Sequence, residues 1–563
     1  MNPSPAGPRQ RPRSCARRDI AAIILIVIAT FAAFWPLARA EFTSWDDYET
    51  VARNPLLNPP TARSLTAFWT RPHGDLYIPV TYTVWAGVAA TPGADAQHFH
   101  LFNVILHAAA AMLAYGVLEM LTRNRAAALI GAMLFALHPV QVESVAWVSG
   151  MKDVLFGVLA LAAIYEYLKF VETAHETLRR VHYAVATVAF VLAMLAKPTA
   201  MVLPLVVIVL DRVILGRPMR DVLRAMWPWL VLAVPCAIAT KMFQPAQHAQ
   251  DVAAPLWARP LIAADALAFY LYKLVWPAKL TFDYGRTPAY VRESGMIAWT
   301  WVVPAIVVAG AWWAWRRGGQ AGRAVAAGLA VMVIVLAPVL GLVRFDFQIY
   351  STVADHYLYL AMLGPALIVA WLVSRRPTAP VLVIAGCLVA ILGVRSFAQT
   401  KHWHDSRALF THGLEVNPRS FASYSHLASM ANEANRPDEA IALIRRALDI
   451  RPDAARHSIY AEALRRKGDT AAAMSAYREA LRRDDAYPPA LANLAVMLAE
   501  QNRLDEAIPL ARRAVAVEPH AAQNRFNLVL MYLNNGDAAA ARRELEEVVR
   551  LDPNHAGARE LLK

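Results

Sequence analysis

The stretch Ile20–Tyr48, IAAIILIVIATFAAFWPLARAEFTSWDDY, decides the fold. Ile20–Leu37 carries no charge and is long enough to span a hydrocarbon core, which takes roughly 17–25 apolar residues. Phe42–Tyr48, FTSWDDY, follows at once and sets Asp46 and Asp47 where the segment leaves the bilayer. Carboxylates beside a membrane surface are costly to desolvate and demand water or a cationic partner. The plain reading is a solvated turn that stops a helix. The sharper one is a catalytic carboxylate facing a lipid-borne substrate, and the remainder of the chain decides between them.

Upstream, residues 1–19 hold Arg9, Arg11, Arg13, Arg17 and Arg18 among prolines, a disordered basic tail that the positive-inside rule keeps in the cytoplasm. Ala38-Arg39-Ala40 resembles a signal-peptidase site, but the apolar run exceeds a usual signal core and predicts an uncleaved first helix. Downstream, residues 41–97 form a long extracytoplasmic loop. Within it Thr61–Thr70 and Tyr77–Ala89 read as short amphipathic helices rich in interfacial aromatics, a roof lying on the membrane over a lipid entrance.

The 563 residues exceed one ordinary domain, and 57% apolar content exceeds a soluble average. Apolar runs recur to about Arg395, about twelve in all, with basic clusters such as Arg179-Arg180, Arg316-Arg317 and Arg375-Arg376 between them. That placement of charge marks cytoplasmic loops. It accounts for the net +13 without nucleic acid, which is excluded as a partner. An odd number of crossings puts the C-terminal part outside. The segment 259–277, with Lys273 in its middle, is then the re-entrant or interfacial one. Three cysteines do not make a disulfide framework: Cys15 lies in the tail, and Cys236 and Cys387 lie in apolar segments.

Polar groups concentrate at the outer helix ends. His100, Asn103 and His107 share one face of a helix over 98–121 and are expected to line a polar cavity. His138–Asp153 brings Glu143, Lys152 and Asp153. Lys197 sits at an outer hairpin. Arg344–Tyr359 offers Arg344, Asp346, Asp355, His356, Tyr357 and Tyr359 at a helix mouth, where amides and dipole can hold a phosphate.

After about His402 the apolar runs stop. A linker helix over 401–416 leads to a repeat of about 34 residues, the period of tetratricopeptide repeats. Ala440, Ala473, Ala507 and Ala541 are each followed twelve positions on by Pro452, Asp485, Pro519 and Pro553. Gly468, Asn502 and Gly536 stand at the turn five residues before the last three alanines. Residues 417–563 therefore read as about four repeats and a cap, a solenoid with a concave face for peptides. The expected fold class is all-α: a polytopic bundle of about eleven or twelve membrane segments over 20–400, then an α-solenoid.

These stretches together resemble the transmembrane and tetratricopeptide-repeat protein O-mannosyltransferases and their bacterial relatives, in the GT-C glycosyltransferase superfamily. The resemblance rests on Trp45-Asp46-Asp47, HFHLFNVILH (His98–His107), ALHPVQVESVAWVSGMKDVL (Ala136–Leu155), AKPTAMVLP (Ala196–Pro204), KLVWPAKLTFDY (Lys273–Tyr284) and ADHYLYL (Ala354–Leu360), and spans nearly the whole chain. It implies inverting transfer of a sugar, mannose by expectation, from a polyprenyl-phosphate donor to an acceptor hydroxyl on the outer face. The acceptor is a protein or a glycan. Such a reaction needs one carboxylate base, and cations or amides for the leaving phosphate. Asp46 is the expected base. Asp47 would orient the acceptor or, with Asp46, hold a divalent ion such as Mg or Mn, which some of the superfamily use. His100, Asn103, His107, Glu143, Lys152 and Asp153 would shape the substrate site. Lys197, Arg344 and His356 are candidates for the phosphate, and Asp355 and Tyr357 belong to the substrate-binding set. One departure stands out: the family more often has Arg where this chain has His356, and a neutral His holds phosphate less firmly. The expected setting is a bacterial inner membrane, with the repeats periplasmic. The competing classes are an envelope glycan polymerase or ligase, disfavoured because the longest loop comes first, and a transporter or scaffold, disfavoured because the polar clusters sit at helix ends.

Overall fold

The computed structural model describes residues 13–73, 76–243, 254–317 and 319–562, with side chains from residue 19 onward. Most of the expected basic tail therefore lies outside the described residues. The chain divides into two compact units, Met1–Val416 and Asn417–Lys563. Both are helical, and among the described residues extended pairing is limited to isolated bridges such as Leu57–Pro60.

In the first unit, α1 (Arg13–Phe34) leads into the loop that carries Asp46, then α2 (Ala62–Thr70) and α3 (Pro79–Ala89). The next group is α4 (Ala96–Thr122), α5 (Arg125–Leu137), α6 (Val142–Ala146), α7 (Met151–Glu172), α8 (Glu176–Ala196), α9 (Leu203–Val209) and α10 (Met219–Phe243). It continues with α11 (Arg259–Val275), α12 (Pro288–Glu293), α13 (Val302–Arg316), α14 (Gln320–Leu336), α15 (Leu358–Ala361), α16 (Leu363–Arg375), α17 (Ala379–Thr400) and α18 (Ser406–Val416). Caps set several boundaries. Asp95 accepts from the Gln97 and His98 amides to start α4, and Asn124 accepts from the Ala127 amide to start α5.

Among the described residues, nine helices are long and apolar enough to cross a membrane. Two further pairs qualify only jointly, Arg125–Leu137 with Pro139–Ala146 and Asp355–Ala361 with Leu363–Arg375, and they bend by 49° and 48°. Counting each bent pair as one span gives eleven. The Lys273 segment, α11, has 17 residues and stands outside this set. Glu143 and His356 lie on the short limbs of these bent pairs, and both are buried.

Small residues let the spans approach backbone to backbone. A Cβ on Gly364 of α16 would fall 2.2 Å from the Gly328 carbonyl oxygen of α14, and one on Gly157 of α7 would fall 2.3 Å from the Tyr359 ring. Overpacking a contact between two backbones costs about 1–3 kcal/mol, because neither helix has a side chain that can turn away. Gly364→Val should therefore lower the melting temperature of the detergent-purified protein. Gly386→Ala, at a glycine with open space around it, should not. Tryptophan-fluorescence melting curves of the two variants make the comparison.

The second unit pairs α19 (Phe421–Glu433) with α20 (Pro437–Ile450), α21 (Ala454–Lys467) with α22 (Thr470–Arg483), α23 (Pro488–Glu500) with α24 (Leu504–Val517) and α25 (Ala522–Asn534) with α26 (Ala538–Leu551), before a short α27 (Ala556–Leu561). The repeat alanines Ala440, Ala473, Ala507 and Ala541 are buried where paired helices touch. The turns adopt left-handed backbone at Gly468, Asn502 and Gly536, and also at Asn435 in the first repeat. Asn tolerates that region better than other side-chain-bearing residues, which is why it alternates there with Gly.

Candidate active site

Asp47 is fully buried and accepts four hydrogen bonds. Its Oδ2 receives the Thr43 amide at 3.0 Å and the Thr43 hydroxyl at 2.8 Å. Its Oδ1 receives the Ser149 amide at 2.9 Å and the Ser149 hydroxyl at 2.8 Å. One carboxylate thus closes the FTSWDD turn and ties it to the start of α7. Thr50 and Ser149 hydroxyls meet at 2.6 Å, and the Thr50 amide and hydroxyl both donate to the Asp46 carbonyl at 2.9 Å. Trp45 packs on Phe282 and Tyr350, with centroids 4.6 and 5.0 Å away, and the Ser44 amide donates to Ser406 Oγ at 2.8 Å. The turn is fixed from several sides, and Asp46 is held half-buried at its tip.

Desolvation raises the Asp46 carboxyl from its usual 3.8 to about 7, with Lys152 pulling it back and Asp47 and Glu49 adding to the rise. Lys152 lies over the Trp147 ring, 4.5 Å from its centroid. Asp153, next in sequence, forms an ion pair with Lys197. The Lys197 ammonium sits 5.6 Å from the centroid of Tyr357. Asp153, Lys197, Thr199, His356 and Tyr357 line one small cleft. Two acids and two lysines therefore converge from the loop, α7 and the α8–α9 turn.

The other expected residues fall into different roles. Asp47 has both its oxygens engaged by internal donors, an arrangement that fits a structural clamp better than the expected acceptor or metal contact. The pair Asp46–Asp47 does not fit a bridged divalent ion for the same reason, and among the described residues no group of three His, Cys, Asp or Glu is placed to hold one. His100, Asn103 and His107, expected at a polar cavity, are instead buried against backbone. His100 Nε2 donates to the Glu41 carbonyl at 3.1 Å, and the Asn103 amide donates to Val145 and Trp147 carbonyls at 3.2 and 3.1 Å. His107 donates from Nε2 to the Ala136 carbonyl at 2.9 Å and meets the Tyr359 hydroxyl at 2.8 Å. All three are buried; Asn103 and His107 serve backbone carbonyls at the ends of α5 and α6, and His100 serves one in the loop after α1.

The helix mouth at 355–357 likewise offers few amides to an anion. The Ala354 amide donates to the Tyr270 hydroxyl, the Tyr357 amide to the Ala354 carbonyl, and the His356 amide to Glu143 Oε2 at 3.0 Å. His356 Nδ1 and Glu143 Oε1 share a hydrogen bond at 2.8 Å, so the His in the place of the family's Arg is a partner of Glu143. Asp355 accepts from the Tyr284 hydroxyl at 2.9 Å through both oxygens. Burial and this neighbouring carboxylate hold the Tyr284 phenol well above its ordinary pKa. Arg344 is exposed. Sequence reasoning missed Ser149 and Tyr284 as organisers. Both lie inside the motif stretches, and no local pattern marks a Ser that reaches back across the chain to an acid.

The fold and this cleft define an integral membrane protein with an acid–lysine cluster beside its first long loop, followed by a repeat array. Residues 78–242 match the family described as dolichyl-phosphate-mannose-protein mannosyltransferase, and 392–455, 460–522 and 498–563 match tetratricopeptide repeats. Mouse protein O-mannosyl-transferase TMTC1 is 32% identical over 28% of this chain and 18% of its own length, and mouse TMTC3 is 28% identical over 26% and 17%. The chain thus spans less than a fifth of these relatives. Drosophila protein O-mannosyl-transferase Tmtc3 is 22% identical over 94% of this chain and 67% of its own length. Solved structures of MamA and yeast Tom70, at TM-scores of 0.24 and 0.25 and identities of 16% and 14%, are too distant to inform this fold; they cover 27% and 80% of this chain and 90% and 93% of their own.

Two measurements test the site. Asp47→Ala strands buried donors and should lower stability by about 3 kcal/mol or more, whereas Thr50→Val, which removes one bridging hydroxyl, should cost about 1 kcal/mol; melting in detergent compares them. Asp46 has a folded pKa above its unfolded value, so it favours the fold below about pH 4 and loses that contribution as pH rises through about 7. Wild-type melting temperature should therefore fall between pH 5 and 8 more steeply than that of Asp46→Asn.

Proposed function

We propose that this protein is a membrane glycosyltransferase that moves a mannosyl unit from a polyprenyl-phosphate donor to a protein hydroxyl. In this reading Asp46 is the catalytic base. It removes the acceptor hydroxyl proton as the hydroxyl oxygen attacks the anomeric carbon. The bond from that carbon to the phosphate oxygen breaks, the configuration inverts, and the polyprenyl phosphate leaves as an anion beside Lys152 and Lys197. Asp47 is a positioning residue that acts through Asp46. The repeats recruit the protein acceptor by their concave face, and the reaction takes place on the side of the membrane that the 41–97 loop faces. No step passes through a metal ion.

The observation that carries this reading is the placement of Asp46. It is pinned at a loop tip by its neighbour, raised to a pKa near 7, and set in the field of Lys152 beside the Asp153–Lys197 cleft. A base that titrates near neutrality is matched to proton abstraction. The mannosyltransferase-family match over 78–242 supports the donor class, since it contains Lys152, Asp153 and Lys197.

The test is sugar transfer by the full chain in nanodiscs from radiolabelled polyprenyl-phosphate mannose to an envelope protein extract. Asp46→Asn should lower kcat at least ~100-fold, the scale of a lost general base, while melting as a folded protein. The wild-type rate should rise with pH to a plateau above an apparent pKa near 7. Lys152→Met should move that pKa upward, because the cation that favours the charged acid is gone. Unchanged transfer in Asp46→Asn would remove Asp46 from the chemistry.

A further inference from the structure

The segment that follows α17 reads in the sequence as a linker, yet it packs against the loop that carries Asp46. Asp405 Oδ1 accepts the Ala408 amide at 2.8 Å and so starts α18 at Ser406. The Glu41 amide donates to the His404 carbonyl at 2.8 Å, and the Ser44 amide donates to Ser406 Oγ at 2.8 Å. One turn further along α18, the Phe410 ring is fully buried and meets the Phe282 ring, with centroids 5.5 Å apart. Phe282, also fully buried, lies 4.6 Å from Trp45 in the same way. The segment is anchored beyond these contacts as well. His412 Nε2 and the Gln399 side-chain amide both donate to the Leu280 carbonyl at 3.0 Å, two residues before Phe282.

We propose that α18 is a second anchor of the FTSWDDY turn and that Ser406 is a positioning residue for Asp46, supported by Phe410 through Phe282 and Trp45. The inference rests on the glycosyltransferase reading above, in which Asp46 is the base, and it assigns 401–416 to the catalytic unit. Three observations select this role over plain packing. First, the anchors fall on both sides of Asp46. Asp47, just after it, is held by Ser149, while Ser44 and Trp45, just before it, are held by Ser406 and Phe282. A turn clamped on one side can pivot about the clamp, and a second anchor removes that freedom. Second, the contact engages a backbone amide of the turn itself, so it fixes the chain and not merely a side chain. Third, the Ser406 hydroxyl stands at a capped helix start and the helix is tied to Leu280, so the acceptor is itself held in place. Without this anchor the turn relaxes, water reaches the Asp46 carboxyl, and its pKa falls back toward the ordinary 3.8.

Two experiments on the full chain in nanodiscs test the anchor. The first needs no turnover. Melting temperature is followed from pH 5 to 8 for each protein and for its Asp46→Asn partner, and the difference isolates Asp46. It removes the contributions of the other ionisable groups near the turn and α18, namely Asp47, Glu49, Lys152, His402, His404, Asp405 and His412. In the native sequence the difference is lost as pH rises through about 7. In Ser406→Ala that loss should move at least about half a pH unit lower, and Ser406→Thr, which keeps the accepting oxygen, should restore it. Phe410→Leu should move it the same way and serves where Ser406→Ala does not fold. An unmoved loss, or an equal move in Ser406→Thr, overturns the assignment. In the second, sugar transfer by Ser406→Ala should show kcat lowered about tenfold or more with KM within about twofold, the mark of a displaced base. Arg407→Ala, exposed on the same helix, should change neither. A rise in KM with kcat unchanged overturns the positioning role. A moved loss without any sugar transfer would retain the anchor and discard the transferase reading, whereas transfer with an unmoved loss would retain the transferase and discard the anchor.

Discussion

The structure of the membrane unit depends on one buried carboxylate. Asp47 takes two hydrogen bonds from Thr43 and two from Ser149, residues more than a hundred positions apart. A buried anion without such donors is unstable, and each donor without the anion is a buried polar group with no partner. The two needs meet in one place, and the loop after the first span is drawn down onto the start of α7. Everything argued about Asp46 follows from this, because a residue at the tip of a clamped turn has its direction set by the clamp. The adjacent acids have opposite roles: one is satisfied and structural, the other is half-buried and set to titrate near neutrality.

Much of this was legible in the chain. Run length and basic spacing predict the spans, and the WDD stretch points to a special site. The Lys273 segment stands apart in the chain by the charge in its middle, and in the structure its helix, α11, has 17 residues. What the chain does not show is whom a polar residue serves. His100, Asn103 and His107 share a face as their spacing requires, yet that face looks toward backbone carbonyls, two of them served where α5 and α6 end and one in the loop after α1. A helix break creates orphan acceptors, and nearby donors fill them. Pattern alone cannot separate that use from cavity lining, since both need polar groups on one face. The same applies at His356, whose acid partner, Glu143, lies far away in sequence.

The repeats were legible for the opposite reason. Their contacts are local, so each residue's task recurs at a fixed distance. Alanines pack where helices cross, and the turn residue must accept left-handed backbone. Asn435 completes that series in the first repeat although no glycine marks it. In the membrane unit the informative contacts are long-range, and a single sequence has no period to reveal them.

The helices of the membrane unit differ mechanically. α14 and α16 touch through Gly328 and Gly364 with backbone against backbone, a contact that resists sliding because no side chain can rearrange to absorb it. α10 contains Pro228 and Pro235, each lacking the amide that would bond one turn back. The first contact is a strut and α10 a leaf spring. Bending therefore falls to α10, with its two prolines acting as the flexure points.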